Sequence, residues 1–321
     1  MFGDQSGEAA RKAENMQAMS AATHIVVGVD GSDTSLAAAR WATVFAEKLG
    51  LPLQLVHSSP APGPMPDIAL DPTELAERHR AYRAELLSTA ETALRRHAPG
   101  VELTTLAKTE APATGILEAA EHAALIVLGA TGAGSVERWL LGSTALRVTH
   151  SARCPVAVWR GDTANPAPDD RPIVVGADGS PLSAAATRLA FEWARLLSVP
   201  VTAVRAWSEG TAIGDSVPTA LALMGPTAMV VDRDAIARSE SETLSKIVAP
   251  FRKDFPDVEV EQRSCRGSAA RELLRALDDA QLAIVGSKGW GRLRGALMGS
   301  TSQNLLHRAD RPIVVHRDHE A

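Results

Sequence analysis

One glycine pattern occurs twice in this chain, a whole domain apart, and that duplication constrains the fold more than any other feature. Gly129-Ala130-Thr131-Gly132 is followed, after nine residues, by Gly142-Ser143-Thr144. Gly286-Ser287-Lys288-Gly289 is followed, after nine residues again, by Gly299-Ser300-Thr301. Each copy comes straight after an apolar run, Leu125 to Leu128 or Leu282 to Val285, and leads through a helical pattern into another short apolar strand. A strand that opens into glycines and then a helix N-terminus offers backbone amides and the positive end of a helix dipole to an anion.

The rest of the chain repeats with it. His24 to Val29 and Ile173 to Ala177 are near-continuous apolar runs ending in Asp-Gly-Ser, at Asp30 and Asp178. Such runs suit strands buried on both faces of a parallel sheet. Ser32 and Asp33 can cap the helix that follows. In that helix Ala38, Ala42, Phe45 and Leu49 fall on one face, and Ala186, Ala190, Trp193 and Leu197 repeat the face. Gly50 stops the first copy. Strands and helices alternate through both halves, which predicts α/β architecture. The expected fold is two tandem doubly wound domains, each a five-stranded parallel sheet in Rossmann-like order 3-2-1-4-5. In that order the ends of strands 1 and 4 border the crevice where ligands of open α/β sheets bind. Residues 1–23 read as a flexible N-terminal tail, 24–160 as the first domain, 161–170 (GDTANPAPDD) as a linker and 171–317 as the second domain.

Composition narrows the function. The net charge of −5 argues against a general nucleic-acid binder. No window approaches the apolar length of a membrane span, and no apolar leader segment opens the chain. Two cysteines, Cys154 and Cys265, lie far apart, which fits a reducing, cytoplasmic setting without a disulfide scaffold or a structural zinc site.

At the crevice, Gly129 and Gly286 would let a ribose or phosphate approach the backbone, and Gly132 and Gly289 would take positive φ to aim successive amides at an anion. Gly142-Ser143 and Gly299-Ser300 open helices whose first amides favour negative charge. Asp30 and Asp178, across the crevice, can accept from ribose hydroxyls or help hold a divalent cation. The pattern is neither a GxxxxGK[ST] loop nor a GxGxxG loop.

These motifs, Asp-Gly-Ser after the first strand and G-x2-G-x9-G-[S/T] after the fourth, resemble those of the ATP-binding universal stress proteins, and the resemblance covers about residues 24–160 and 171–317. It implies one ATP site per domain, with Mg2+, and a regulatory role in stress or dormancy. The implied first site comprises Gly28, Asp30, Ser58, Gly129, Thr131, Gly132, Gly134, Ser135, Gly142, Ser143 and Thr144. The implied second comprises Gly176, Asp178, Ala206, Gly286, Lys288, Gly289, Gly291, Arg292, Gly299, Ser300 and Thr301. Ser58 follows His57, whereas Ala206 follows Arg205, so the base edge of the second site departs from the pattern. The resemblance also implies pairing of the two domains within the chain and a homodimer. A slow ATPase and a nucleotide-independent interaction scaffold remain as alternatives; the motif fixes no general base with an arginine clamp.

The halves are not equal. Lys288, Arg292 and Arg294 of the second loop align with Thr131, Ser135 and Glu137 of the first, so the second site is expected to hold a polyphosphate more tightly. Trp41, Trp193 and Trp207 fall at core positions, and Trp290 sits inside the second glycine loop. His150 and His307 close equivalent helices, where cations are favoured. Cys154 reads as a buried apolar residue. Arg263 and Arg266 beside Cys265 could lower its thiol pKa.

Overall fold

A computed structural model of the chain describes residues 23–60, 71–132, 141–208, 232–289 and 298–317. Contacts divide the chain between Ala167 and Pro168 into two compact units.

Unit 1 runs β1 (His24–Gly28), α1 (Asp33–Leu49), β2 (Leu53–Ser58), α2 (Pro72–His97), β3 (Leu103–Lys108), α3 (Pro112–Ala119), β4 (Ala123–Gly129), α4 (Ser143–Ser151) and β5 (Val156–Trp159). Its strands are parallel in the order β3-β2-β1-β4-β5, with Ile25 opposite Leu53 and Val27 opposite Val127. Unit 2 runs β6 (Ile173–Gly176), α5 (Pro181–Leu197), β7 (Val201–Trp207), α6 (Arg233–Asp254), β8 (Val260–Arg266), α7 (Ala269–Leu277), β9 (Leu282–Gly286), α8 (Ser300–Arg308) and β10 (Ile313–His316). Its order, β8-β7-β6-β9-β10, is again parallel. The expected 3-2-1-4-5 order therefore holds in both units.

The central strands are apolar because helices cover both their faces. Ile25, Val26 and Val27 of β1 and Ile173, Val174 and Val175 of β6 are fully buried. Ala38, Ala42 and Phe45 of α1, and Ala186, Ala190 and Trp193 of α5, are buried as the spacing requires, while Leu49 and Leu197 are only half-buried. Trp41 packs on Phe45 with centroids 4.5 Å apart; Phe191 stacks on Phe251 at 5.7 Å. Trp207 is buried as well.

The turn from the first strand to the first helix is built alike in both units. Gly31 and Gly179 sit at φ of 83° and 84°, where a side chain would be strained. Ser32 and Ser180 then cap the helices, each Oγ accepting from the amide three residues on, Ser35 at 3.1 Å and Ser183 at 3.2 Å. The far ends differ. Gly50 closes α1 at φ 64°, but Ser198 closes α5 at φ 60°, the one non-glycine residue with positive φ among the described residues.

Candidate functional site

At the top of each sheet, the ends of β1 and β4, or β6 and β9, come together as the topology demands. Asp30 is the first residue beyond the pairing of β1. Its Oδ1 accepts from the Ser32 amide at 3.0 Å and the Ser32 hydroxyl at 2.6 Å, and its own amide donates to Ser35 Oγ at 3.3 Å. Asp178 repeats this: Oδ1 accepts from the Ser180 amide at 2.8 Å, and the Asp178 amide donates to Ser183 Oγ at 3.0 Å. The other carboxylate oxygen faces the glycine loop. A Cβ on Gly132 would stand 2.5 Å from Asp30 Oδ2, and a Cβ on Gly289 would collide with Asp178 Oδ2. Neither glycine occupies the positive-φ region, which corrects the expectation of left-handed turns there. Glycine is needed at both places because a carboxylate fills the space a side chain would take.

The loop is tied at its base. The Ala130 amide donates to the Trp159 carbonyl at 3.0 Å, and the Gly142 amide donates to the Ala130 carbonyl at 2.7 Å. In unit 2 the Ser287 amide donates to the His316 carbonyl at 2.8 Å, and the Gly299 amide to the Ser287 carbonyl at 2.7 Å. These bonds place the start of α4 or α8 beside the strand end. Gly142 and Gly299 are the N-caps and carry no capping side chain, in contrast with Ser32 and Ser180. The first intrahelical amides belong to Leu146 and Gln303, so the amides of the preceding turn are donors without helical acceptors. Ser143 and Ser300 are exposed at this opening, with Thr144 and Thr301 half-buried behind them. An uncapped helix start facing a carboxylate across a bare glycine can take an anion and a cation together. Asp30 and Asp178 supply one carboxylate each, which suits Mg2+ that takes its remaining ligands from phosphate and water; among the described residues no cluster of three acidic, His or Cys side chains could hold a metal alone.

Other implied residues border the crevice and make packing contacts of their own. Gly129 and Gly286 lie against the first turns of α1 and α5: added Cβ atoms would meet the Ser35 amide nitrogen at 3.2 Å and Leu182 at 3.1 Å. Gly28 faces Leu128 and Ile116, and Gly176 faces Leu273 and Val285. Ser58 is buried, its hydroxyl donating to the Glu110 carbonyl at 2.7 Å. Ala206, half-buried, pairs with Cys265. Thr131 is half-buried and Lys288 exposed at the loop. Gly134, Ser135, Gly291 and Arg292, together with Glu137, Trp290 and Arg294, lie outside the described residues.

Three contributors escaped the sequence reading. Ser302 is buried in the first turn of α8, its hydroxyl within 3.2 Å of the Ser287 carbonyl and 3.0 Å of the Gly299 carbonyl; Ala145 holds that place in unit 1. His57 Nδ1 lies 2.8 Å from the Val29 carbonyl, and Arg205 Nη1 donates to the Asp178 carbonyl at 3.0 Å, so each braces the loop carrying the crevice carboxylate. Only the residue type at the second-strand end could have signalled this.

The thiols differ from expectation in one case. Burial pushes the Cys154 thiol up to about 12. Cys265 is raised as well, by burial first and then by the Glu272 carboxylate; Arg263 and Arg275 oppose this without reversing it. The lowering that the flanking arginines could produce at Cys265 is therefore absent. His150 and His307 sit in the last turns of α4 and α8.

Two doubly wound α/β units, each with a carboxylate and an uncapped helix start at the point where the winding reverses, define the class of protein. The chain belongs to the universal stress protein family, whose model matches residues 21–160 and 171–317. A universal stress protein of Mycobacterium tuberculosis is 34% identical over 303 residues, covering 91% of this chain and 96% of the relative. One of Mycolicibacterium smegmatis is 35% identical over 301 residues, at 91% and 96% coverage. The crystal structure of a universal stress protein from Archaeoglobus fulgidus superposes with a TM-score of 0.61 at 19% identity, covering 92% of this chain and 98% of that one, a likeness of fold.

Proposed function

We propose that each unit holds an adenine nucleotide, ATP with Mg2+, in its crevice, and that occupancy of the two sites regulates a response to stress or dormancy. The observation that carries this reading is the repeated apposition of Asp30 with Gly132 and Asp178 with Gly289 beside the uncapped starts of α4 and α8. The phosphates lie on the amides that open those helices, with Ser143 and Thr144, or Ser300 and Thr301, adding hydroxyl donors. Asp30 and Asp178 accept from ribose hydroxyls or share in holding Mg2+, which neutralises phosphate charge when bound. The backbone at the C-terminal ends of β2 and β7, at Ser58 and Ala206, takes the base edge.

The test is mass spectrometry of small molecules released from freshly purified, denatured protein, followed by calorimetric titration of the emptied chain with ATP, ADP and AMP. Two ATP equivalents per chain, weakened in Asp30→Ala and Asp178→Ala, are expected. Absence of any nucleotide on the purified chain together with no heat from any of the three ligands would end this reading.

A further inference from the structure

We propose that unit 1 carries a second anion site, separate from its glycine crevice, at the corner where the end of β2 meets α2: Arg83, His79 and Ser59, with His57 beside them, receive an oxyanion of the phosphate class.

Arg83 is only 8% exposed. Its Nη1 donates to the Ser59 carbonyl at 3.2 Å and approaches His79 Nδ1 at 3.4 Å; His79 Nε2 lies 3.4 Å from Ser59 Oγ. A guanidinium only donates, so His79 Nδ1 is an acceptor and its proton sits on Nε2, toward Ser59. Among the described residues no carboxylate pairs with Arg83, and its Nε is buried without a hydrogen-bond partner. His57 Nδ1 is spent on the Val29 carbonyl, and its Nε2 is likewise buried without a partner. Tyr82 stands edge-on to the His57 ring at 6.4 Å. Partial burial, then the neighbouring Arg83 and His57, hold the His79 imidazole below its ordinary range. The corner thus gathers one buried cation and two imidazoles around neutral acceptors, an arrangement that is costly until a negative charge joins it. A planar guanidinium fork beside the Nε2–H of His79 suits the oxygens of a phosphate.

The other unit shows the same corner already neutralised. The helices α2 and α6 end alike: Ala98 and Phe255 each donate back four residues, at 2.8 Å, to Leu94 and Phe251. That register places Glu240 where unit 1 has Arg83, and the strand register places Arg205 where unit 1 has His57. Arg205 Nε donates to Glu240 Oε2 at 2.6 Å. Unit 2 therefore supplies its own counter-charge, where unit 1 shows none among the described residues. The end of β2 stands two strands from the end of β4, about 10 Å at ordinary strand spacing, so an anion at this corner does not compete for the α4 amides.

Histidine-selective 15N NMR of the full chain tests the site, with inorganic phosphate as the probe and chloride at equal ionic strength as the control. Phosphate is expected to move the His79 resonances toward the imidazolium position and to raise its titration midpoint by about one unit. Arg83→Gln should raise the half-saturating phosphate concentration by about tenfold; Arg83→Lys, which keeps the charge and loses the fork, should fall between. Gly132→Val should leave the His79 response intact even if it abolishes nucleotide binding, so loss of one reading leaves the other measurable. A His79 response no greater in phosphate than in chloride overturns the proposal, as does an equal response in Arg83→Gln. If Arg83→Gln does not fold, the wild-type comparison of phosphate with chloride decides alone.

Discussion

The first strands of the two units end in the same Asp-Gly-Ser turn, but the surroundings of that turn have diverged. In unit 1 a histidine braces it and a buried arginine stands behind with no carboxylate partner among the described residues; in unit 2 an arginine braces it and is paired with Glu240. Beneath it, Gly28 is tightly enclosed and Gly176 loosely. At the far end of the following helix, Gly50 meets Ser198. What is identical in both units is the carboxylate–glycine contact and the uncapped helix start. Duplication thus separates two kinds of constraint: the crevice is kept, and the means of supporting it are exchanged.

Experiments can break or sharpen that contrast. The largest effects belong to what is shared. Gly132→Val and Gly289→Val each displace a crevice carboxylate, and each should weaken nucleotide binding in its own unit by about a hundredfold, roughly 2–3 kcal/mol, measured by calorimetry. The exposed Lys288 in place of Thr131 is expected to make unit 2 the tighter site, so Gly289→Val should remove the higher-affinity phase; loss of that phase from Gly132→Val would reverse the ranking. Next comes the exchanged charge. Arg205 and Glu240 are 18% and 14% exposed, so Glu240→Gln leaves a mostly buried cation and should cost about 2 kcal/mol in urea unfolding. Arg83→Met should do the opposite in phosphate-free buffer, raising stability by about 1–2 kcal/mol; equal losses from both variants would remove the distinction between the corners. Packing follows. A Cβ at Gly28 would approach Leu128 Cδ2 at 2.5 Å and Ile116 Cδ1 at 2.9 Å, whereas at Gly176 the nearest atoms lie at 3.4 and 3.5 Å. Gly28→Ala should therefore cost about 1–2 kcal/mol, and Gly176→Ala no more than about 0.5 kcal/mol, in the unfolding midpoint. The smallest effect concerns the helix ends: Ser198→Gly should stabilise by about 0.5–1 kcal/mol and Gly50→Ser should destabilise by a similar amount.

Much of this was legible in the sequence because its causes are local or periodic. The unbroken apolar runs at Ile25–Val27 and Ile173–Val175 mark central strands, and strand–helix alternation with a ligand motif at strands 1 and 4 leads to the observed order. Ser32 as a cap and Gly50 as a stop follow from backbone chemistry alone. The edge strand β8, Val260–Arg266, was less legible, because none of its residues is buried and its alternation carries little phase information. The glycine requirement at 132 and 289 was recognised for a different reason from the one that operates. A turn signal is visible in a sequence, but a carboxylate arriving from another strand is not. Gly28, Gly129 and their counterparts were placed in the site by motif, whereas their bare faces receive leucine, isoleucine and helix backbone. Arg83 opposite Glu240 was invisible for a geometric reason. The strand repeat has one offset and the later helix another, so the pair aligns only once both registers are known.

The contact between Asp30 and Gly132 has a consequence for how a duplicated chain can age. Gly132 has no unusual torsion to protect, so gaining a side chain there need not disturb the sheet; the penalty falls on the carboxylate opposite. A single nucleotide change could therefore silence one chamber while its walls stay standing, and the sister chamber at Asp178 and Gly289 would be left to answer alone.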